Sequence, residues 1–522
     1  MLTDRLLAAT LLVAIATPAA AAGCGDLLAQ KLPDVTIDAA NAVSPGLFAP
    51  AGAKPVQTDR DFCRVQGTIR PTSTSNIKFE LWLPQAWNGN FFQSGNGGLA
   101  GIVPHAALAG ALARGYAAAG TDDGTSPQGS SDFLSDPERV IDYNIRAAHL
   151  TALAAQALTR AHYGRAPAHR YFVGGSKGGQ EALMEAQRFP ADFDGIVANY
   201  PGLRGPHLQA QMLWATQQMN RGPGAQLSEA KLVLLHDAAI AQCAGSDGGL
   251  KTDGFLTYPP ACRFDPASLR CTGADAATCL TAEEVKTAAA IYRGPGNPRT
   301  GENFDSGHVP GSEGPARGPV HGWTGYYGSF VKQFVAPNIA QNILHRKDWD
   351  YRSFDFDRDM ATLEEKSQAI MSWSADLRAF KARGGKLIIV HGWDDPMVPA
   401  RHSPLYFDRV VADQQTDPSR TGRSALDETR SFFRLFMVPG MGHGPSVGLR
   451  PLDSLASLVA WVEQGTTPEL LPAAQFVEDD PAKGTVLTRA LCPWPEIMQA
   501  TPAGAFACQR PREPGSLKAA RR

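Results

Sequence analysis

The chain has 522 residues, 43% of them hydrophobic and 19% charged, and a formal net charge of -2 at pH 7. That length can bury a large core, and the composition is that of a soluble globular protein rather than a disordered or fibrous one. The near-zero charge gives no electrostatic reason to expect nucleic acid or an anionic membrane as a partner.

The chain opens with a short charged start ending at Arg5, an apolar stretch from Leu6 to Ala16, and small residues up to Ala22. These are the three parts of a secretory signal, expected over residues 1–22 and removed on export. The apolar stretch is too short to span a bilayer, so a membrane anchor is the weaker reading. The mature protein is expected to be secreted or periplasmic. Eight cysteines in an exported chain read as disulfides rather than metal ligands. Counting does not set connectivity. Local spacing suggests Cys243 with Cys262, Cys271 with Cys279 and Cys492 with Cys508, which leaves Cys24 for Cys63.

From Cys24 to about Arg70 the pattern is weak, punctuated by Pro and Gly. Ile77 to Leu83 alternates and Asn90 to Gln93 is short and aromatic, so both are predicted strands. The second runs into Ser94-Gly-Asn-Gly-Gly-Leu-Ala-Gly101, a glycine-rich loop that could be a plain hairpin turn. It is also where backbone N–H groups could approach a developing negative oxygen. A further strand is predicted over Gly115–Asp122. A long helix follows from Val140 to Tyr163, with Ile141, Ile145, Ala148, Ala152, Ala155 and Leu158 on one face.

Tyr171, Phe172 and Val173 form a short β-prone run, and Leu183, Ala186 and Phe189 recur at helical spacing. Between them lies Gly174-Gly175-Ser176-Lys177-Gly178, which fits G-x-S-x-G, a tight strand-to-helix turn that holds a serine hydroxyl clear of a sheet. Alone it would be a glycine-rich turn. A serine nucleophile needs a base and an orienting carboxylate, expected later in the order Ser, acid, His.

Asp194 to Ala198 gives the next strand. Between about Gly202 and Met371 no βα alternation can be traced, and a stretch of that length reads as an inserted cap over residues 203–373. The core pattern, begun over 23–202, resumes over 374–522. A helix over Asp376–Arg383 leads to the strand Lys386–Val390, which delivers His391-Gly-Trp-Asp394-Asp395. The strand Phe432–Val438 delivers Pro439-Gly-Met-Gly-His443. Asp395 alone would be a turn residue and His443 alone a structural histidine. Together with Ser176 they stand in the required order at strand ends, where parallel sheets gather their reactive groups. Asp394 is the rival to Asp395. His391 is a poor rival to His443 because it shares a strand end with the acid.

These residues resemble the tannase and feruloyl esterase family of α/β-hydrolases, which also includes mono-(2-hydroxyethyl) terephthalate hydrolase. The resemblance covers nearly the whole mature chain. It rests on Gly95-Asn-Gly-Gly98, Ala148-His149, the serine turn, Asp194-Gly-Ile-Val, Cys262-Arg-Phe-Asp-Pro266, Pro310-Gly-Ser-Glu313, Ser353-Phe-Asp-Phe-Asp357, His391-Gly-Trp-Asp-Asp395 and Pro439-Gly-Met-Gly-His443. It implies an α/β-hydrolase core with a mainly parallel sheet and a large inserted cap or lid. It also implies hydrolysis of aromatic-acid esters of feruloyl, galloyl or terephthaloyl type through an acyl-enzyme. Ser176 would be the nucleophile, His443 the base and then acid, and Asp395 its orienter. The amides of Gly97 or Gly98 and of Lys177 would hold the oxyanion. The four cysteine pairings above are also those of the family.

Acyl transfer needs no redox or organic cofactor. The family's cap binds a structural calcium through a loop rich in aspartate, and hard oxygen ligands suit that ion. Here Ala244 replaces the first carboxylate, and Asp247 and Asp253 are spaced more widely than the family pattern, so the loop is an open candidate. In much of the family a disulfide ties the nucleophile turn to the histidine loop; the two positions here are Gly175 and Gly444. Their Cα atoms are expected within bridging distance, and cysteines placed there are expected to bond if the two glycines are not in conformations closed to other residues.

The expected partner is a small aromatic ester, with no nucleic acid and no membrane; the oligomeric state is not encoded in any motif. A non-catalytic binding member and a serine peptidase of the same fold are the alternatives. The sequence does not name the acid or alcohol, and Trp323, Tyr326, Tyr327 and Phe330 fit either cap core or pocket wall.

Overall fold

A computed structural model describes residues 22–50, 52–314, 322–323, 331, 335–346, 348–420, 422–444, 448–501 and 505–511. Residues 1–21 of the expected signal segment, and Tyr326, Tyr327 and Phe330, lie outside them. A nine-stranded sheet organises the chain, in the order β1-β4-β5-β7-β6-β8-β9-β10-β11. The strands are β1 (Val35–Val43), β4 (Phe62–Ile69), β5 (Ile77–Pro84), β6 (Phe91–Ser94), β7 (Ala117–Thr121), β8 (Arg170–Gly175), β9 (Gly195–Asn199), β10 (Lys386–Gly392) and β11 (Phe433–Val438), with β2 (Gly46–Phe48) and β3 (Val56–Thr58) paired apart. From β7 through β11 neighbours are parallel, while β5, β4 and β1 add an antiparallel flank.

The period of two along each strand sends alternate side chains to two apolar layers. Phe79, Leu81, Phe172, Ile196, Ile389 and Leu435 enter one layer with Ala152, Leu183 and Ala186 of the covering helices. Trp82, Tyr171, Val197, Ile388, Val390 and Phe436 enter the other with Leu108 and Leu112 of α1 (His105–Ala113) and with Leu458. A sheet covered on both faces is what an apolar parallel core requires. Each large side chain so buried contributes about 1.5–3 kcal/mol of transfer free energy.

Several stretches depart from expectation. The weakly patterned start contains β1, whose residues are mostly exposed or half-buried because it is the sheet's edge. It nonetheless pairs with β4 across their length. The long helix is interrupted: α2 (Pro137–Ile141) passes through a π-helical turn, Asp142–Arg146, before α3 (Ala147–Tyr163). The wider turn resets the helical phase, so Asp142 and Tyr143 are buried while Ile141 and Ile145 are only half-buried. The segment after β9 contains regular helices, including Gly205–Met219, Glu229–Cys243 and Ala282–Arg293. Trp323 is fully buried there with Leu235, Ala288 and Ile291, as core rather than wall. Beyond β11, β12 (Arg450–Pro451), β13 (Leu471–Phe476) and β14 (Thr485–Leu491) form a small sheet, and β15 (Ile497–Ala500) pairs with β16 (Phe506–Gln509).

The bonded cysteines are Cys24–Cys63, Cys243–Cys262, Cys271–Cys279 and Cys492–Cys508. Bridges closing loops of this size contribute about 2–4 kcal/mol each. No helix among the described residues is long and apolar enough to cross a membrane.

Asp247 and Asp253 do not fit calcium. One Asp247 oxygen accepts the amides of Gly245 and Gly249 at 3.2 and 3.1 Å, and the other accepts those of Thr257 and Tyr258. Asp253 accepts the Leu250 amide at 3.2 Å and the Arg489 guanidinium at 2.9 Å. These donors aim hydrogens at the oxygens a hard cation would need. Thermal unfolding in EDTA and in excess calcium should therefore give the same midpoint. A chelator-induced fall of several degrees would place a cation in this loop.

Glu80 offers a second test. On β5 it accepts from Arg64 Nε at 2.9 Å and Trp82 Nε1 at 2.8 Å, and lies 3.2 Å from His105 Nε2. Burial raises its carboxyl, but His105 and Arg64 outweigh that and bring it from 4.5 down to about 2. A folded value below the unfolded one stabilises above the unfolded value and is lost as pH falls through the folded value. The shift corresponds to about 3 kcal/mol. Glu80→Gln should lower unfolding stability at pH 7, with the gap to wild type closing as pH falls from about 4.5 towards 2. A gap independent of pH would mean that packing, not charge, is what Glu80 supplies.

Candidate active site

The sheet order places five strand ends side by side, β6, β8, β9, β10 and β11. From them come the glycine loop, Ser176, Tyr200, Asp395 and His443. Ser176 follows β8 directly and holds φ 60°, ψ -116°, a conformation few side chains adopt. Such backbone costs about 1–3 kcal/mol and persists only where the surroundings enforce it. Here they do. A Cβ on Gly174 would lie 2.3 Å from the Gly178 carbonyl oxygen, and one on Gly179 2.6 Å from Pro201 Cα. The start of α4 (Lys177–Arg188) thus rests against β8 with no side chain between them. The Ser176 amide donates to Asn199 O at 3.0 Å, and its carbonyl accepts from Gly202 N at 3.0 Å.

Asp395 is fully buried. One oxygen accepts the amides of Met397 and Val398 at 2.8 and 2.9 Å; the other accepts His443 Nδ1 at 2.8 Å. Burial pushes its carboxyl up, but His443 and His391 overcome this and hold it well below the usual carboxylate range. His391 is wholly buried behind the acid, with Nε2 3.4 Å from the same oxygen and Nδ1 at 2.7 Å from Ser403 Oγ. The rival Asp394 turns away: its Oδ1 is buried beside Gly311. The acid and histidine loops are joined by Asp394 N to Met441 O at 3.0 Å and Trp393 N to Val438 O at 2.9 Å.

The glycine loop is held from several sides. Asn96 donates its side-chain amide to Ile102 O and Thr121 O at 2.8 Å, its backbone N–H to Glu181 Oε2 at 3.1 Å, and accepts Gly178 N at 2.7 Å. Glu181 also accepts Lys177 Nζ at 2.6 Å, and that ammonium lies 4.3 Å from the Tyr143 ring centre. Tyr143 donates its hydroxyl to Gly98 O at 2.6 Å, which fixes the orientation of that peptide. Gly97 N–H is already engaged by Asn96 Oδ1 at 3.0 Å.

These groups open on one cavity of about 650 Å³, lined among others by Gly97, Gly98, Ser176, Lys177, Tyr200, Met212, Met397 and His443. Sequence reasoning missed Tyr143, Glu181 and Tyr200. Glu181 had a signal in its i, i+4 spacing from Lys177.

Gly175 and Gly444 both face Tyr200. A Cβ on Gly175 would lie 2.7 Å from the Tyr200 hydroxyl, and one on Gly444, at φ 99°, would lie 3.6 Å from it. The condition set for a bond between cysteines placed here, a backbone open to side chains, is therefore not met at Gly444. The phenol fills the space, and the Gly444 backbone disfavours a side chain.

Among the described residues one group could offer three metal ligands, His149, Glu185 and Asp192, beneath α4. His149 Nδ1 already pairs with Asp192 Oδ2 at 2.5 Å. Burial and then the charge of Asp192 push the Glu185 carboxyl well up.

The chain matches the family described as tannase and feruloyl esterase over residues 63–510. It is 40% identical to an uncharacterized esterase of Xanthomonas campestris pv. campestris, over 92% of this chain and 89% of that one. It is 31% identical to the mono(2-hydroxyethyl) terephthalate hydrolase of Piscinibacter sakaiensis, over 86% and 85%. The crystal structure of feruloyl esterase B from Aspergillus oryzae superposes with a TM-score of 0.82 at 25% identity, covering 93% of this chain and 99% of that one. A turn that strains a serine into the cavity, a buried acid–histidine pair beside it, and likeness over nearly the whole chain agree: this protein is a carboxylic ester hydrolase of the tannase and feruloyl esterase family.

Proposed function

We propose that the protein is an exported serine esterase that cleaves esters of aromatic acids through an acyl-enzyme. The observation that carries this reading is the strained Ser176 sharing a cavity with His443, whose Nδ1 donates to the buried Asp395 at 2.8 Å. His443 Nε2 takes the Ser176 hydroxyl proton as Oγ bonds to the ester carbonyl carbon, and the carbonyl oxygen becomes an oxyanion. With Gly97 N–H spent on Asn96, the amides of Gly98 and Lys177 receive that oxygen. The C–O bond then breaks and His443 returns the proton to the departing alcohol. Water, deprotonated by the same imidazole, hydrolyses the acyl-enzyme and restores Ser176. Asp395, kept ionised, holds the imidazole in the donating tautomer and offsets its positive charge.

The cavity suits an aromatic acyl group, with Leu99, Leu134, Met212 and Met397 as apolar wall and Asn144, Gln180 and Gln209 as polar contacts. Lys177, the cation among the described lining residues, is committed to Glu181 at 2.6 Å. Neutral feruloyl- or galloyl-type groups are therefore favoured over a terephthaloyl group carrying a free carboxylate. The segment over residues 203–373, whose described part includes the helices Gly205–Met219, Glu229–Cys243 and Ala282–Arg293, acts as the lid that selects among them. Export rests on the signal-like residues 1–22 together with four disulfides.

A panel of methyl ferulate, methyl gallate and the mono-hydroxyethyl ester of terephthalate should give the highest kcat/KM on one of the first two. A clear preference for the terephthalate ester would overturn the neutral-substrate reading. Ser176→Ala or His443→Ala should lower kcat by at least about 10³-fold at unchanged fold. Retained turnover in Ser176→Ala, or peptide cleavage without ester cleavage, would contradict the esterase mechanism.

A further inference from the structure

β9 lies between the strand that delivers Ser176 and the strand that delivers Asp395, and Tyr200 is the first residue beyond its end. Its backbone holds φ 33°, a value a bulky aromatic adopts only under constraint. Its N–H donates to Val390 O at 2.6 Å on one side, while Asn199 O accepts Ser176 N at 3.0 Å on the other. The backbone that carries the ring is thereby tied to both neighbouring strands. Its centre lies 4.8 Å from that of His443, with the planes at 60°. Its hydroxyl end stands over Gly175 and Gly444, one in the nucleophile turn and one in the histidine loop.

We propose that Tyr200 is a positioning residue of the reaction: its ring is a wedge that sets the distance between the nucleophile turn and the His443 loop and holds the imaidazole edge-on for proton transfer. This rests on the assignment of Ser176 and His443 given above. The wedge is complete only because both facing residues are glycine. Any side chain at 175 would drive into the phenol at 2.7–2.8 Å. A non-covalent spacer of this kind works because an aromatic ring is rigid and prefers edge-to-face contact with another ring. Burial, and then the charge of Asp395, push ionisation of the phenol upward, so the hydroxyl stays neutral beside the acid.

The test compares Tyr200→Phe, Tyr200→Leu and Tyr200→Ala on methyl ferulate, with Ser176→Ala as reference and thermal unfolding as the fold control. Small misplacement of reacting groups costs up to about 100-fold in rate. Tyr200→Ala and Tyr200→Leu should lower kcat about 10- to 100-fold while KM changes less than about 3-fold, and Tyr200→Phe should restore most of kcat. The rate at which a small fluorophosphonate labels Ser176 should fall in parallel with kcat, because labelling needs the serine and base aligned but not the substrate pocket. Gly175→Ala should impair wild type yet be nearly harmless in the Tyr200→Ala background, since the collision is gone.

A raised KM with unchanged kcat and labelling would make Tyr200 a pocket wall and overturn the proposal. So would Tyr200→Phe as impaired as Tyr200→Ala, which would assign the role to the hydroxyl. If Ser176→Ala itself keeps turnover and labelling, the triad assignment has failed. If Ser176→Ala is inactive and Tyr200→Ala keeps wild-type kcat, only the wedge has failed.

Discussion

The absence of a Cβ at Gly174 and Gly178 is the constraint on which the rest of the site depends. Helix α4 begins so close to β8 that any side chain at Gly174 would occupy the position of the Gly178 carbonyl. That approach forces Ser176 into its strained backbone and lifts its hydroxyl into the cavity. The strain of about 1–3 kcal/mol is offset by the layers on both faces of the sheet, where single side chains contribute comparable amounts. The same approach brings Gly178 N onto Asn96 O, so the glycine loop is placed by the helix that follows Ser176.

Around this contact the polar groups form two separate networks. On one side Glu181 joins Asn96 and Lys177, with Tyr143 closing on Gly98. On the other, Asp395 is held by two amides and two histidines. Both are buried, so each hydrogen bond is strong and each missing partner would be costly. The first network holds the glycine loop against the start of α4, and the second holds the His443 ring against Asp395. Glu181, Lys177 and Asp395 are each engaged within these networks.

Much of this was legible because short motifs carry their own geometry. The serine turn, the acid loop and the histidine loop each follow an apolar β-prone run, and their order alone named Ser176, Asp395 and His443. The remainder escaped for physical reasons. The π-helical turn at Asp142–Arg146 shifts the helical phase, so no 3.6-residue pattern could bring Tyr143 to Gly98. The edge strand β1 is mostly exposed or half-buried and lacks an apolar face to read. The helix Gly205–Met219 is buried on much of its surface and so shows no clear amphipathic stripe. Tyr200 depends on two glycines far from it in sequence. In the sequence those glycines read as an absent crosslink; in the structure they also face the Tyr200 ring.

The most direct test of the account is rapid quenching of the enzyme during turnover of methyl ferulate, followed by peptide mapping by mass spectrometry. A feruloyl adduct is expected on the peptide that contains Ser176 and is expected to be absent in Ser176→Ala. An adduct on another residue, or steady turnover with no covalent adduct at any quench time even when deacylation is slowed, would contradict it.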